Sequence, residues 1–202
     1  MYTIGITGGT GAGKSSALRV LEELGALALD CDEIYHELLS GNNELVAEIE
    51  ARFSDVSADG RIDRNKLAEV VWNDHVSLQE LNRITHKYVR NELKKRISAF
   101  AAQGGKIAAV DAIALIESGQ SDNCDITVGI IAPQELRTSR IIDRDAISKE
   151  QAQKRIDAQK PEGFFIENCD YILENVYNKQ SEFEEKCTEF FNNILQKEGI
   201  QL

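Results

Sequence analysis

Short apolar runs alternate along this chain with longer stretches of helical periodicity. Residues 2–7 are short, β-branched and apolar, as a buried strand requires. Glycines end that run. Ala17, Val20, Leu21 and Leu24 then recur at helical spacing, which predicts a helix from about Lys14 that stops at Gly25. Residues 26–30 read as a second strand closing on an acid, and residues 33–39 and 43–53 as helices. A third strand spans 106–111 and again ends in Asp. A fourth spans 126–132 and is stopped by Pro133, a short fifth spans 171–175, and residues 180–197 make a terminal helix.

Two stretches interrupt the alternation. Residues 64–102 read as mainly helical, with a turn near Asn73 and Asp74, and no strand fits inside them. Residues 134–160 read as two helices broken at 145–148, where Ser148 followed by Gln151 resembles a capping box. Apolar strands separated by helices imply a parallel sheet covered on both faces. The expectation is therefore one α/β domain over 1–202. Its five-stranded parallel sheet carries a helical insertion at about 60–102 and a charged helical lid at about 134–160.

The residues after the first strand add chemistry. Gly8-Gly-Thr-Gly-Ala-Gly-Lys-Ser15 fits G-x-x-x-x-G-K-[ST] at every fixed position. Glycines let successive N–H groups turn toward one anion without Cβ obstruction, and the next helix adds its own N–H groups and positive dipole end. Lys14 then reaches the β- and γ-phosphates of a nucleoside triphosphate, and the Ser15 hydroxyl ligates Mg²⁺. The dinucleotide pattern G-x-G-x-x-G fails, because its last glycine would fall on Lys14.

Strand ends in a doubly wound sheet meet the ligand, so Asp30, Asp32 and Asp111 are candidates to orient a metal's water or accept a proton. Arg137, Arg140 and Arg144 recur at three- and four-residue spacing within the lid and can close on a triphosphate. His86 sits in a helical region, where it is as readily a polar residue at a packing edge as a functional one. Trp72 and the Phe164-Phe165 pair read as packing residues.

Composition narrows the partners. A formal net charge of −11 opposes nonspecific nucleic-acid binding. No apolar run approaches the ~18 residues that span a bilayer. Cys31, Cys124, Cys169 and Cys187 show no Cys-x-x-Cys spacing and read as reduced thiols of a cytoplasmic protein.

Taken in order, these residues resemble the dephospho-coenzyme A kinase family over nearly the whole chain. Residues 6–15 are similar to that family's opening loop, and residues 24–34 to its second strand, which closes on Asp-x-Asp at Asp30 and Asp32. Gly60-Arg-Ile-Asp-Arg64 resembles the element that begins its substrate subdomain, with His86 falling at the family's His-Pro pair. Residues 111–119, 140–145, 155–159 and 170–175 resemble later motifs. The chain departs from the family pattern at Lys87, Ile113, Ile116, Lys160 and Glu174.

The resemblance implies a P-loop kinase fold and MgATP-dependent phosphorylation of the ribose 3′-hydroxyl of dephospho-coenzyme A. Gly11, Ala12, Gly13, Lys14, Ser15 and Ser16 would then hold the ATP phosphates, with Arg144 on the nucleotide and Asn175 near adenine. Asp32 would orient or deprotonate the acceptor, and Arg140 would stabilise the transferring phosphoryl group. Arg64, His86 and Asp111 would help hold the acceptor. Two alternatives share the same loop: a kinase for another nucleoside, nucleotide or sugar, and a nucleotide-dependent regulatory protein.

Overall fold

The computed structural model describes residues 1–58, 61–72 and 74–200. Gly60 and Asn73 lie outside them, as does the side chain of Trp72. The chain runs β1 (Tyr2–Gly8), α1 (Lys14–Glu23), β2 (Leu27–Asp30), α2 (Cys31–Gly41), α3 (Asn43–Arg52), β3 (Ser57–Ala58) and β4 (Arg61–Ile62). It continues through α4 (Arg64–Trp72), α5 (His75–Ala102), β5 (Ile107–Asp111), β6 (Ile126–Ile131), α6 (Gln134–Asp145) and α7 (Lys149–Asp157). The last elements are α8 (Glu162–Asn168), β7 (Tyr171–Glu174) and α9 (Gln180–Lys197).

Five strands form one sheet in the order β2-β5-β1-β6-β7. Central β1 pairs in parallel with β5, placing Ile6 opposite Asp111, and with β6, placing Ile6 opposite Val128. Every residue of β5, and every residue of β1 after Tyr2, is buried. A strand covered on both faces has no polar side to show, which is why these segments read as unbroken apolar runs. Helices α1 and α9 supply one cover. Ala17, Leu21, Phe183, Cys187 and Phe191 pack with Ile4, Ile6 and Val128 in a single cluster. Gly25 ends the first helical segment at φ +89°, with Ala26 N–H donating to the Leu21 carbonyl at 2.9 Å.

The chain separates into two compact units, Met1–Leu29 with Ala99–Leu202, and Asp30–Ser98. In the second unit α2 to α5 bury Ile34, Leu45, Ile49, Leu67, Ile84 and Leu93. Asp30 caps α2, its Oδ1 accepting from the N–H groups of Asp32 at 2.8 Å and Glu33 at 3.2 Å. Lys87 and Tyr88 of α5 both donate to Glu48 of α3, at 3.0 and 2.8 Å.

The helical hairpin of the first unit has its own small core of Ile141, Ala152 and Ile156. Its turn carries the expected capping box: Gln151 N–H donates to Ser148 Oγ at 3.3 Å, and Ser148 N–H donates to Gln151 Oε1 at 3.0 Å. Two features were not expected. The β3–β4 hairpin has two-residue strands, too short to show a period. Helix α8 follows Pro161 with two adjacent Phe in place of an amphipathic repeat. Among the described residues no helix is long and apolar enough to cross a membrane.

Phe191 is 0% exposed at the centre of the α9 contact. Truncation to Ala is expected to lower the unfolding free energy by about 3–5 kcal/mol in a urea titration. A loss below about 1 kcal/mol would mean that α9 does not close this core.

Candidate functional site

Residues 8–13 turn between β1 and α1, with positive φ at Gly8, Gly11 and Gly13. A Cβ on Gly8 would lie 2.2 Å from the Ile130 carbonyl oxygen, and one on Gly13 would lie 2.5 Å from Asn175 Nδ2 and 2.9 Å from Phe183 Cε1. Glycine is required here by conformation and by close packing together. Gly13 stands at the N-cap of α1 with no side-chain cap, and no acidic residue occupies the first turn. The contrast with α2, capped by Asp30 and acidic at Asp32 and Glu33, leaves the positive end of α1 uncompensated from within the helix.

Each carbonyl of this loop has a donor. Gly8 O accepts from Lys14 Nζ at 3.0 Å, and Gly9 O from Ala12 N–H at 3.1 Å. Thr10 O accepts from Arg137 Nε at 2.9 Å, Gly11 O from Arg140 Nη1 at 3.0 Å, and Ala12 O from Asn175 Nδ2 at 2.8 Å. Gly13 O takes the first bonds of α1, from Ser16 and Ala17 N–H. Arg137, Arg140 and Asn175 thus hold three successive carbonyls of the loop. Arg140 continues to Asn175 Oδ1 at 3.0 Å and to the Tyr177 carbonyl at 2.6 Å. Burial lowers the pKa of both Arg137 and Arg140 from its usual value, with Glu162 partly restoring that of Arg137.

Ser15 is exposed at the start of α1, and Ser16 is half-buried beside it. Asp111 is buried at the carboxyl end of β5, the strand next to β1. Arg144 is exposed near the end of α6 and forks onto Asp145 at 2.7 and 2.9 Å, while Arg155 of α7 pairs with the same carboxylate.

Asp32, Arg64 and His86 belong to the second unit. Asp32 is exposed in the first turn of α2, and Arg64 is exposed at the start of α4. Burial, reinforced by Arg90, holds the imidazole of half-buried His86 below its usual pKa. Tyr35, one turn after Asp32, was not singled out by the sequence. Burial raises its pKa while Arg64 lowers it, so its phenol lies within the field of that guanidinium.

Gln159 was also missed as a site residue, although the motif containing it was noted. Its Oε1 accepts from Thr10 N–H at 2.8 Å, and its Nε2 donates to Thr10 Oγ1 at 2.6 Å. Only its position two residues beyond the end of α7 could have signalled this. Asn175 is likewise more deeply set than expected, 3% exposed and bonded to the loop itself.

Gly13 and Gly25 both have positive φ but differ in what surrounds them, which separates binding from stability. Gly13→Ala is expected to weaken ATP binding at least about tenfold by calorimetry, because its methyl displaces Asn175 and Phe183. Gly25→Ala meets nothing within 4 Å and should lose about 1 kcal/mol of stability with ATP binding intact. Equal ATP affinity in the two variants would show that the shape of residues 8–13 does not govern binding.

The family model described as CoaE, dephospho-CoA kinase, matches residues 2–199. A dephospho-CoA kinase of Leptospira interrogans is 32% identical over 97% of this chain and 94% of its own. A crystal structure of TT1252 from Thermus thermophilus superimposes with a TM-score of 0.81 at 29% identity, covering 96% of this chain and 97% of that one. Dephospho-CoA kinase from Campylobacter jejuni gives a TM-score of 0.71 at 26% identity, covering 97% and 98%. With the loop built as a phosphate-binding turn and the match running from end to end, the chain belongs to the dephospho-coenzyme A kinase family and has the P-loop kinase fold.

Proposed function

We propose that this chain transfers the γ-phosphoryl group of MgATP to the ribose 3′-hydroxyl of dephospho-coenzyme A, giving coenzyme A and ADP. The observation that carries the ATP half is the accounting of the loop. Its carbonyls from Gly8 to Gly13 are all bonded to donors of the chain itself, so an anion meets amides rather than lone pairs. Gly11, Ala12, Gly13 and Ser16 form the cradle, the amides of Ala12 and Ser16 being shared with the Gly9 and Gly13 carbonyls, and Lys14, now lying on the Gly8 carbonyl, moves to the bridging β/γ oxygens. Family membership supports the acceptor half.

The donor set suits Mg²⁺, a hard cation that keeps oxygen ligands and water. The exposed Ser15 hydroxyl would hold it with the triphosphate, and buried Asp111 would orient one of its waters. When bound, the ion neutralises charge on the β- and γ-phosphates. Arg144 holds the triphosphate from the lid, exchanging Asp145 for phosphate oxygens. Arg140 acts in two ways: it fixes the loop through Gly11 and Tyr177, and its charge offsets that developing on the transferring group. Asn175 secures the segment beside which the adenine rests.

On the acceptor, Asp32 aligns the attacking hydroxyl and takes its proton, while Arg64 and neutral His86 hold the remainder. Phosphoryl transfer leaves little covalent work for the protein, so positioning and electrostatics supply the rate. Burial drives the thiols of Cys124 and Cys187 up to about 12 and that of Cys169 to about 11, so they stay protonated. Unreactive thiols suit a protein working in the cytoplasm.

Incubation with MgATP and dephospho-coenzyme A should yield a product heavier by one phosphoryl group. Lys14→Ala and Arg140→Ala should each retain the fold and lose roughly 10²–10³ in kcat/KM. Asp32→Asn should lower kcat more than it raises the acceptor KM. No product from the wild type, with ATP still bound, would reassign the acceptor. Near-normal turnover in Lys14→Ala or Arg140→Ala would remove that residue from the mechanism.

A further inference from the structure

The α6–α7 hairpin meets the phosphate loop at both of its ends, and on the same residue. Arg137 lies in the first turn of α6, and Gln159 lies two residues past α7. Arg137 Nε donates to the Thr10 carbonyl at 2.9 Å. Gln159 Oε1 accepts from Thr10 N–H at 2.8 Å, and Gln159 Nε2 donates to Thr10 Oγ1 at 2.6 Å. Arg137 Nη2 closes the triangle on Gln159 Oε1 at 3.0 Å. The backbone N–H, carbonyl and hydroxyl of Thr10 are thereby all engaged by the two stems of one hairpin.

Nothing in the phosphate-loop pattern requires this. Thr10 occupies a variable position of G-x-x-x-x-G-K-[ST], and its amide points at a side chain instead of toward the cradle. The space is fitted as well: a Cβ on Gly9 would fall 2.2 Å from Arg137 Nη2, and one on Gly11 would fall 2.8 Å from the Arg137 carbonyl oxygen. A guanidinium and a carboxamide held on one loop residue, both half-buried, fix where the following amides of Gly11 to Ser16 point.

We infer that Arg137 and Gln159 are positioning residues that latch the hairpin to Thr10 and so set the ATP-binding shape of the phosphate loop. The inference rests on the proposed ATP site and extends it, because both residues act through Thr10. Coupling through the latch is directional in its effect. Loosening it should weaken the nucleotide and leave the acceptor alone, since every bond of the latch lies between the phosphate loop and the hairpin.

Gln159→Met keeps length and removes both polar atoms. Loss of its bonds is expected to raise hydrogen exchange at the Thr10 amide at least about tenfold, and the KM for ATP roughly five- to tenfold, with the acceptor KM within about twofold. Arg137→Lys keeps a cation that can donate to the Thr10 carbonyl, so it should hold the KM for ATP closer to wild type than Arg137→Met does. Adding Arg137→Met to Gln159→Met should cost less than the product of the two single effects. A purely structural role would lower the melting temperature and leave Thr10 exchange and the KM for ATP unchanged, which would overturn the latch. Equal losses in Arg137→Lys and Arg137→Met would overturn it as well. Should Gln159→Met fail to fold, Thr10→Val removes only the hydroxyl. A raised dissociation constant for a fluorescent ATP analogue then supports the latch, and an unchanged one overturns it. The exchange and binding arms need no turnover, so they judge the latch even if the wild type makes no coenzyme A.

Discussion

A peptide unit that turns its N–H toward an anion must turn its carbonyl away, and that carbonyl then needs a donor of its own. This constraint organises the first unit of the protein. Six consecutive carbonyls, from Gly8 to Gly13, are satisfied by Lys14, Ala12, Arg137, Arg140, Asn175 and the first turn of α1. The side-chain donors come from chain positions up to 163 residues away. An unbonded carbonyl in this place would draw the loop out of shape, since burying an unsatisfied polar group costs about 1–3 kcal/mol. The sheet order explains how distant donors arrive. β1 is central, β6 leads into α6, and β7 leads to Asn175, so both neighbours on one side deliver their next residues to the same loop.

The arginines of α6 and α7 have more than one use, and their surroundings sort them. Arg137 and Arg140 are half-buried and committed to backbone carbonyls and amide side chains, where they shape the site. Arg144 and Arg155 are exposed and share Asp145. Exposed pairs of this kind contribute little to stability, about 0–1 kcal/mol, so exchanging a carboxylate for phosphate oxygens costs little. Four of the five departures from the family pattern also lie at or near the surface. Lys87 pairs with Glu48 at the surface, Lys160 lies over the Phe164 ring at 5.1 Å, and Ile113 and Glu174 are exposed. None of the four replaces a donor to the loop.

Much of this was legible in the sequence because its cause is local. A run such as residues 2–7 has to be a doubly covered strand, and Ser148 with Gln151 encodes its own cap. The phosphate loop announces itself through glycines whose positive φ is then found at Gly8, Gly11 and Gly13. What could not be read depends on tertiary arrangement. Asp30 looked like a candidate for chemistry and caps a helix, a role that any acid at a strand-to-helix junction can take. Gln159 carries no charge and ends a motif that does not by itself say what it bonds, and its importance comes from the 149 residues of chain that fold back to bring it to Thr10. The spacing of Arg140 points to a cation facing phosphates, whereas its bonds to Gly11 and Tyr177 belong to the packed structure alone. The β3–β4 hairpin and α8 are too short for periodicity to show.

The triphosphate is expected to meet the shaped amides of the loop. Backbone amide shifts of the isotopically labelled chain, followed as a non-hydrolysable MgATP analogue is added, test it directly. The largest changes should fall on Gly11 to Ser16, with Thr10 moving little because its amide is held by the Gln159 side chain, outside the cradle. Shifts centred elsewhere, with Gly11 to Ser16 unmoved at saturation, would contradict it.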